Sequence, residues 1–463
     1  MSMMKGFSNA FRIPELRKKI LITLGLVFVC RLVSQIPTPG VDWQALQGVI
    51  ETAKQSSSGG GLLDWFDVFT GGALGQCAIG FLSIWPYISA QIVIQLLGSV
   101  IPSLEKLKKE GETGRQQLAQ ITRYLTIVLC VVQAWGIAAA LSNPAALGIA
   151  IPADKAIVIH PGFGFNLMTV IGMTAASLFV MWIADQITTF GVGNGGSLII
   201  MINITSRLPS AIFAAWERYF GINGDASTAQ GTYAELGILI CFFLLVVMGT
   251  VMLTQGLRKI PIHSARRSVV GGANYGMQQT FMPLRVSYAG VMPIIFAQPL
   301  IQLPSALLVK IFDKGAVHDF FEGLSRSEGI SFAIVYAVLI LFFTFFWVAT
   351  QFNAIDISEN LKKDSSYVPG FSPGRATAEY LDDVMTKITL IGGLGLLTVA
   401  IVPMMLTGVF HIPQVIASFF GGTSLLIIVG VALDTLRVME SHLLVRKYEG
   451  FLSHGSLRGR GGI

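Results

Sequence analysis

Few residues in this 463-residue chain are spaced for covalent chemistry. Its six histidines are scattered and form no HExxH pair. Cys30, Cys77, Cys130 and Cys241 stand singly in apolar runs with no CxxC spacing, so neither a zinc site nor a disulfide framework is expected. Gly191-Val-Gly193-Asn-Gly195-Gly196 fits GxGxxG, but it joins two apolar helical runs and follows no strand. It therefore reads as a tight turn for close helix packing, not as a dinucleotide cradle. Charges inside the apolar runs are few: Arg31 near the end of the first, where it can snorkel, and Asp434 near the end of the last. A proton- or sodium-coupled carrier usually needs buried Asp, Glu or His along its path. An intramembrane protease needs a nucleophile with its base, or metal ligands, at span depth. The sequence suggests neither, so no metal, no cofactor and no enzymatic activity are expected.

The chain offers apolar mass instead. Hydrophobic residues make up 53% and charged residues 13%, against about 25% charged in a soluble domain. Ten segments approach the roughly 20 apolar residues that cross a bilayer. They fall near 20–37, 77–97, 122–141, 165–184, 196–215, 236–255, 287–309, 331–351, 386–407 and 412–433. An even number puts both termini on one side. Roughly 24 of the 32 Lys and Arg lie on that side and roughly 7 opposite, so both termini are expected in the cytoplasm. Lys18 and Lys19 precede the first run as in a signal peptide, but no small-residue cleavage site follows, and the run is read as a retained span. The net charge of +6 is thus a topology signal before it is a nucleic-acid signature.

The stretch from Leu62 to Val100 organises the rest. Leu62, Leu63, Asp64, Trp65, Phe66, Asp67, Val68, Phe69 and Thr70 form an amphipathic piece too short to span, and Gly71 and Gly72 let the chain turn back into the second span. Non-spanning structure at membrane depth is tolerated only inside protein or beside water. In the second span Ile84, Ile88 and Ile92 recur at i, i+4, so they share a face, and Pro86 is expected to loosen or kink the helix. Together these suggest a gate: an apolar constriction with a movable stopper. Span seven repeats the pattern, with Val291-Met-Pro293-Ile-Ile295 against Ile84-Trp-Pro86-Tyr-Ile88. Each is the second of five spans. Five is odd, so halves 1–216 and 217–463 are expected to be inverted, with a pathway at their interface. On the cytoplasmic side, the loop near 256–286 carries Arg258, Lys259, Arg266 and Arg267. The loop near 352–385 carries two Pro-Gly turns. Loops of this length and charge suggest docking on acidic protein or RNA phosphate, beside topology and anionic-lipid roles.

Several strings resemble one family, the SecY family of protein-conducting channels: FTGGAL, WPYISAQIVIQLL, KKEGETGRQQLAQITRY, MWIADQIT with GVGNGGSLII, RKIPIH, MPLRVSYAGVMPIIFA, ISENLKKDSSYVPGFSPGRATAEYLDDVMTKITL and FGGTSLLIIVGVALD. They occur in the family's order over nearly the whole chain. The resemblance implies an all-α polytopic membrane protein, with ten transmembrane helices in two inverted five-helix halves around a central pore and a short plug helix. Motif by motif, it implies a pore ring of Ile84, Ile88, Gly196, Ile200, Ile295 and Ile427, and a plug of residues 62–70. It implies a lateral gate between spans two and seven near Ser89, Gln95 and Gln298. Ribosome or SecA docking would fall at Arg258, Lys259, Arg266, Arg267, Lys362, Lys363, Ser372 and Arg375. Implied partners are the small membrane subunits SecE and SecG, the SecA motor, the ribosome, signal-sequence-bearing polypeptides, lipid and other insertion or export accessory proteins, in the cell inner membrane. Two positions depart from the family pattern: Gly196, where a bulky aliphatic residue is usual, and Ser372, where arginine is usual. A secondary transporter of small solutes, built on the same inverted-repeat logic, is the rival reading.

Overall fold

The computed structural model describes residues 13–42, 45, 48, 70–73, 75, 77–142, 158–221, 231–264, 279–311, 315–325, 329–408, 410, 412, 414–420 and 423–454. The chain divides into two compact units, Met1–Leu208 with Val431–Ile463, and Pro209–Gly430.

The first unit contains α1 (Pro14–Val33), a 3-10 turn (Ile79–Leu82), α2 (Trp85–Val100), α3 (Pro102–Lys109), α4 (Glu112–Ser142), α5 (Phe163–Phe190) and α6 (Gly195–Thr205). Proline opens α1 and α3, where its missing N–H belongs to a turn that has no acceptor for it anyway. Helix α4 packs on α2 and α5, and α1 packs on α5 and α6. The buried face of α4 is Thr122, Thr126, Cys130, Ala134 and Ala138, one small residue per turn, which lets the neighbouring backbones approach. Ala134 and Ala138 meet Val170 and Met173 of α5 there.

The second unit contains α7 (Leu208–Phe220, from Pro209 on), α8 (Tyr233–Gln255), strands β1 (Leu257–Ser264) and β2 (Gln279–Arg285), and α9 (Met292–Ile311). Helices α10 (Ala316–Ser325), α11 (Ile330–Gln351) and α12 (Ala354–Lys363), strand β3 (Ser366–Tyr367), α13 (Arg375–Gly408) and α14 (Gln414–Phe420) follow. The last helix, α15 (Thr423–His454), begins in this unit. Helix α11 packs on α9 and α13, and α8 packs on α13.

Seven helical runs among the described residues are long and apolar enough to cross a membrane: Ile79–Gly98, Glu112–Ser142, Phe163–Phe190, Gly195–Phe220, Tyr233–Gln255, Ile330–Lys363 and Arg375–Gly408. Helices α1, α9 and α15 stand at the three remaining sequence-predicted spans. Several threonine hydroxyls within the apolar helices turn back on their own backbone. Thr122, Thr126, Thr250, Thr344 and Thr389 each donate to the carbonyl four residues earlier at 2.7–2.8 Å, which spares a hydroxyl that has no water to bond.

Three local features differ from the sequence expectations. Pro86 does not kink the interior of a helix. Ser83 breaks the chain at φ +47°, and α2 starts at Trp85 with the proline in its first turn. The loop after α11 is half structured, because Asn353 accepts hydrogen bonds from the Ile355 and Asp356 amides and so caps α12. The loops near 256–286 and 352–385 also form a three-stranded antiparallel sheet, β2-β1-β3. Its register runs from Leu257 opposite Arg285 to His263 opposite Gln279, and Ile260 and Ile262 are buried. Pro261 sits on a stretch of β1 that β3 does not reach and Pro283 on the outer strand, edges where a missing N–H breaks no ladder.

The GxGxxG string forms the expected tight turn. A Cβ on Gly195 would lie 2.0 Å from the Ala184 carbonyl oxygen. One on Gly196 would meet only Asn194 Oδ1 at 3.3 Å and Ile84 Cδ1 at 3.6 Å. Gly195→Ala is therefore expected to destabilise the detergent-solubilised protein by about 1–3 kcal/mol, while Gly196→Ala leaves its melting temperature nearly unchanged. Equal melting of the two variants would refute this packing argument.

Candidate functional site

In the first unit the candidate ring residues lie where a helix begins. Ile84 sits immediately before α2, and the Ile88 amide donates to its carbonyl at 3.1 Å, so the two side chains are one turn apart on one face. Both are buried, at 3% and 5% exposure, whereas Ile92 is half-buried and Val93 is 38% exposed. Ile200 on α6 is buried. Gly196 on the same helix leaves space that Ile84 approaches: Ile84 Cδ1 is 3.6 Å from where a Cβ would stand. A neighbouring isoleucine thus borders the gap that the sequence left at this position. Ser89 and Gln95 on α2 are half-buried.

The second unit builds the same local geometry. Gly290 has φ +60° two residues before α9 begins at Met292, as Ser83 does two residues before α2. Pro293, like Pro86, is the second helical residue. The Ile295 amide donates to the Val291 carbonyl at 3.3 Å, repeating the Ile88–Ile84 turn. Ile295 and Ile427 are buried, at 3% and 1% exposure. Helices α9 and α15 approach through Gly430, one turn after Ile427, where a Cβ would stand 3.1 Å from Val291 Cγ1. Gln298 occupies a helical position in α9.

Of the plug residues only Thr70 is among those described, and it is buried; Leu62, Leu63, Asp64, Trp65, Phe66, Asp67, Val68 and Phe69 lie outside. Gly71 and Gly72 adopt φ +68° and +93°, the left-handed turn expected of them. Arg31 does not snorkel. It turns inward, where Nη1 donates to Asn203 Oδ1 at 3.3 Å and Nη2 donates to the Gly71 carbonyl at 3.1 Å. Two acceptors within reach of a half-buried guanidinium outweigh extension toward the interface.

The candidate docking residues among those described fall on the sheet and the segments that follow it in chain order. Arg258 and Lys259 are exposed on β1, and Lys362 and Lys363 are exposed in the last turn of α12, where the helix dipole favours cations. Ser372 is exposed before α13. Arg375 opens that helix, with its Nε 3.0 Å from Glu379 Oε1. Arg266 and Arg267 lie outside the described residues. Sequence spacing did not reveal that β3 pairs with His263 and Ser264, which brings the two basic loops together. The second loop is held by Ser358 Oγ, which donates to the Gly374 carbonyl at 2.5 Å, by Thr377 Oγ1, which donates to the Ser372 carbonyl at 2.8 Å, and by Phe371 stacked on Tyr380.

One grouping of potential metal ligands occurs among the described residues, His318, Asp319 and Glu322 on α10. His318 Nε2 and Glu322 Oε2 are 3.8 Å apart and Asp319 is exposed, an ordinary i, i+4 pair on a solvated face.

The sequence profile of the SecY family matches residues 78–436. The chain belongs to the SecY family. Among curated SecY relatives, "Protein translocase subunit SecY" of Streptomyces scabiei is 41% identical over 97% of this chain and all of its own length. The protein of the same name from Thermotoga maritima is 36% identical over 99% of this chain and all of its own. The fold is similar to a solved structure described as "The structure of a protein conducting channel", with TM-score 0.57 and 15% identity over 97% of this chain and 98% of the other. It is also similar to "Sec61 in the Canine ribosome-channel complex from the endoplasmic reticulum", with TM-score 0.52 and 16% identity over 93% of this chain and 96% of the other. The chain is thus a multi-pass membrane protein with the SecY fold.

The basic face of this SecY-family chain depends on a few hydrogen bonds. Ser358→Ala removes one worth about 1 kcal/mol, so tryptic cleavage after Arg375 is expected to accelerate several-fold. Cleavage at the wild-type rate would show that the segment is held elsewhere.

Proposed function

We propose that this chain is the channel subunit of a protein translocase, which passes extended polypeptides across a membrane and releases apolar segments sideways into lipid. The observation that carries the reading is 41% identity, over 97% of the chain, to a protein translocase subunit. The proteins named above are translocase subunits or protein-conducting channels, and none is a small-solute carrier.

The physics of the proposed ring follows from its residue types. Ile84, Ile88, Ile200, Ile295 and Ile427, with Gly196 beside Ile84, would surround the passing chain with branched aliphatic groups. Such groups offer no hydrogen bond to hold a chain of irregular polarity, and they dewet when idle. We assign residues 62–70 as the plug, halves 1–216 and 217–463 as the inverted repeats, and the surroundings of Ser89, Gln95 and Gln298 as the lateral gate. Release into lipid is then partitioning: Leu or Ile contributes roughly −0.5 kcal/mol and Lys or Asp costs about 3 kcal/mol at mid-span. No catalytic side chain is needed, because directional force comes from a partner. Arg258, Lys259, Arg266, Arg267, Lys362, Lys363, Ser372 and Arg375 would meet a ribosome or the SecA motor. A ribosome-channel complex among the structural neighbours supports the first. SecE and SecG would be its small membrane subunits, and both termini would lie in the cytoplasm beneath the inner membrane.

In proteoliposomes, a labelled precursor should enter only with SecA and ATP present. Entry of small solutes without precursor movement would favour the carrier reading. Ile88→Asn or Ile295→Asn should stabilise the open state and raise export of a signal-defective precursor; no gain would remove these residues from the ring. Reversing Arg258 and Lys259, or Arg266 and Arg267, to Glu should weaken ribosome or motor binding, and the loss should shrink as salt rises. Unaltered affinity at matched salt would remove the docking assignment.

A further inference from the structure

We infer that Arg31, Asn203 and Ser206 form a clasp on the Gly71 carbonyl, and that its release is a step in opening the channel. This inference rests on the channel reading above. The Gly71 oxygen accepts from Arg31 Nη2 at 3.1 Å and from Ser206 Oγ at 3.4 Å. Arg31 Nη1 donates to Asn203 Oδ1 at 3.3 Å, and Asn203 Nδ2 donates to Ser83 Oγ at 3.0 Å. Ser206 Oγ also lies 2.7 Å from the Asn203 carbonyl oxygen. Three chain segments therefore meet on one guanidinium: the end of α1, the turn that closes residues 62–70, and the C-terminal part of α6.

Two features make this more than a packing contact. The first is the absence of room at Gly71. A Cβ there would stand 2.4 Å from Arg31 Nη1 and 2.9 Å from Ser206 Oγ, and the residue already has φ +68°. Its backbone oxygen is thus presented directly to the donors. The second is placement. Ser83, the far end of the network, holds a left-handed conformation unusual for a non-glycine residue and directly precedes ring residue Ile84. Asn203 lies three residues after ring residue Ile200 on α6, and is 1% exposed. The network therefore ties the turn behind the plug to the two elements that present half of the ring.

The energetics favour a switch. A half-buried guanidinium needs acceptors, and in the resting state the Gly71 carbonyl supplies one. Once the constriction is wetted by a travelling chain, water can replace that carbonyl with little loss. The clasp then holds the turn tightly while the pore is dry and weakly once it is wet.

The test compares export of a signal-defective precursor with that of a signal-bearing one in vesicles carrying the whole translocase, alongside resting ion conductance. Arg31→Gln should raise the ratio of defective to normal export by on the order of tenfold, the worth of a charge-assisted hydrogen bond, and should raise resting conductance. Arg31→Lys, which keeps the charge but loses the fork, should fall between Arg31→Gln and wild type. Should Arg31→Gln fail to accumulate, Ser206→Ala supplies the same comparison with a several-fold smaller rise. An unchanged ratio in these variants, or export of both precursors reduced in equal proportion, would overturn the clasp while leaving the channel reading in place. A wild-type chain that exports no precursor would overturn the channel reading first.

Discussion

A polar group in hydrocarbon has no partner except another part of the chain, and this single constraint shapes most of what the structure displays. Helices satisfy the backbone internally. Five threonine hydroxyls return to the carbonyl four residues back along α4, α8, α11 and α13. Arg31 is the demanding case, and it resolves the demand by drawing Asn203 and the Gly71 carbonyl to itself. Close approach follows the same rule. Gly195 packs where a methyl group would strike the Ala184 carbonyl, and small residues line one face of α4.

Set against that polar economy, buried isoleucines at the starts of α2 and α9 and along α6 and α15 belong to a different design. A surface without hydrogen-bonding groups excludes water when narrow, yet binds no passing polypeptide strongly. A channel built this way can seal and conduct with the same residues. Selection between secretion and insertion then needs only a side exit, because bilayer partitioning does the sorting.

The membrane-spanning helices are legible in the sequence, because apolar length is a strong signal. The repeated Pro-Ile spacing of spans two and seven also carried information, and its structural expression is a left-handed residue followed two positions later by a helix start in both places. Other features were not legible. The sheet depends on pairing between Ser366–Tyr367 and His263–Ser264, a hundred residues apart in sequence, which no local pattern encodes. The sequence shows Pro86 but not the break before it at Ser83, because serine at positive φ has no sequence signature. The inward turn of Arg31 has no local signal, because its acceptors, Asn203 and Gly71, come from segments far away in sequence.

The proposed channel depends on buried aliphatic side chains meeting the moving polypeptide. A photoreactive residue placed at position 88, 200, 295 or 427, with a precursor halted in mid-passage, reads that directly. Positions 93 and 342, which carry exposed Val93 and Phe342, serve as controls. Adducts with the precursor are expected from the first four and with lipid from the last two. Lipid adducts from all six, with none to the precursor, would contradict that expectation.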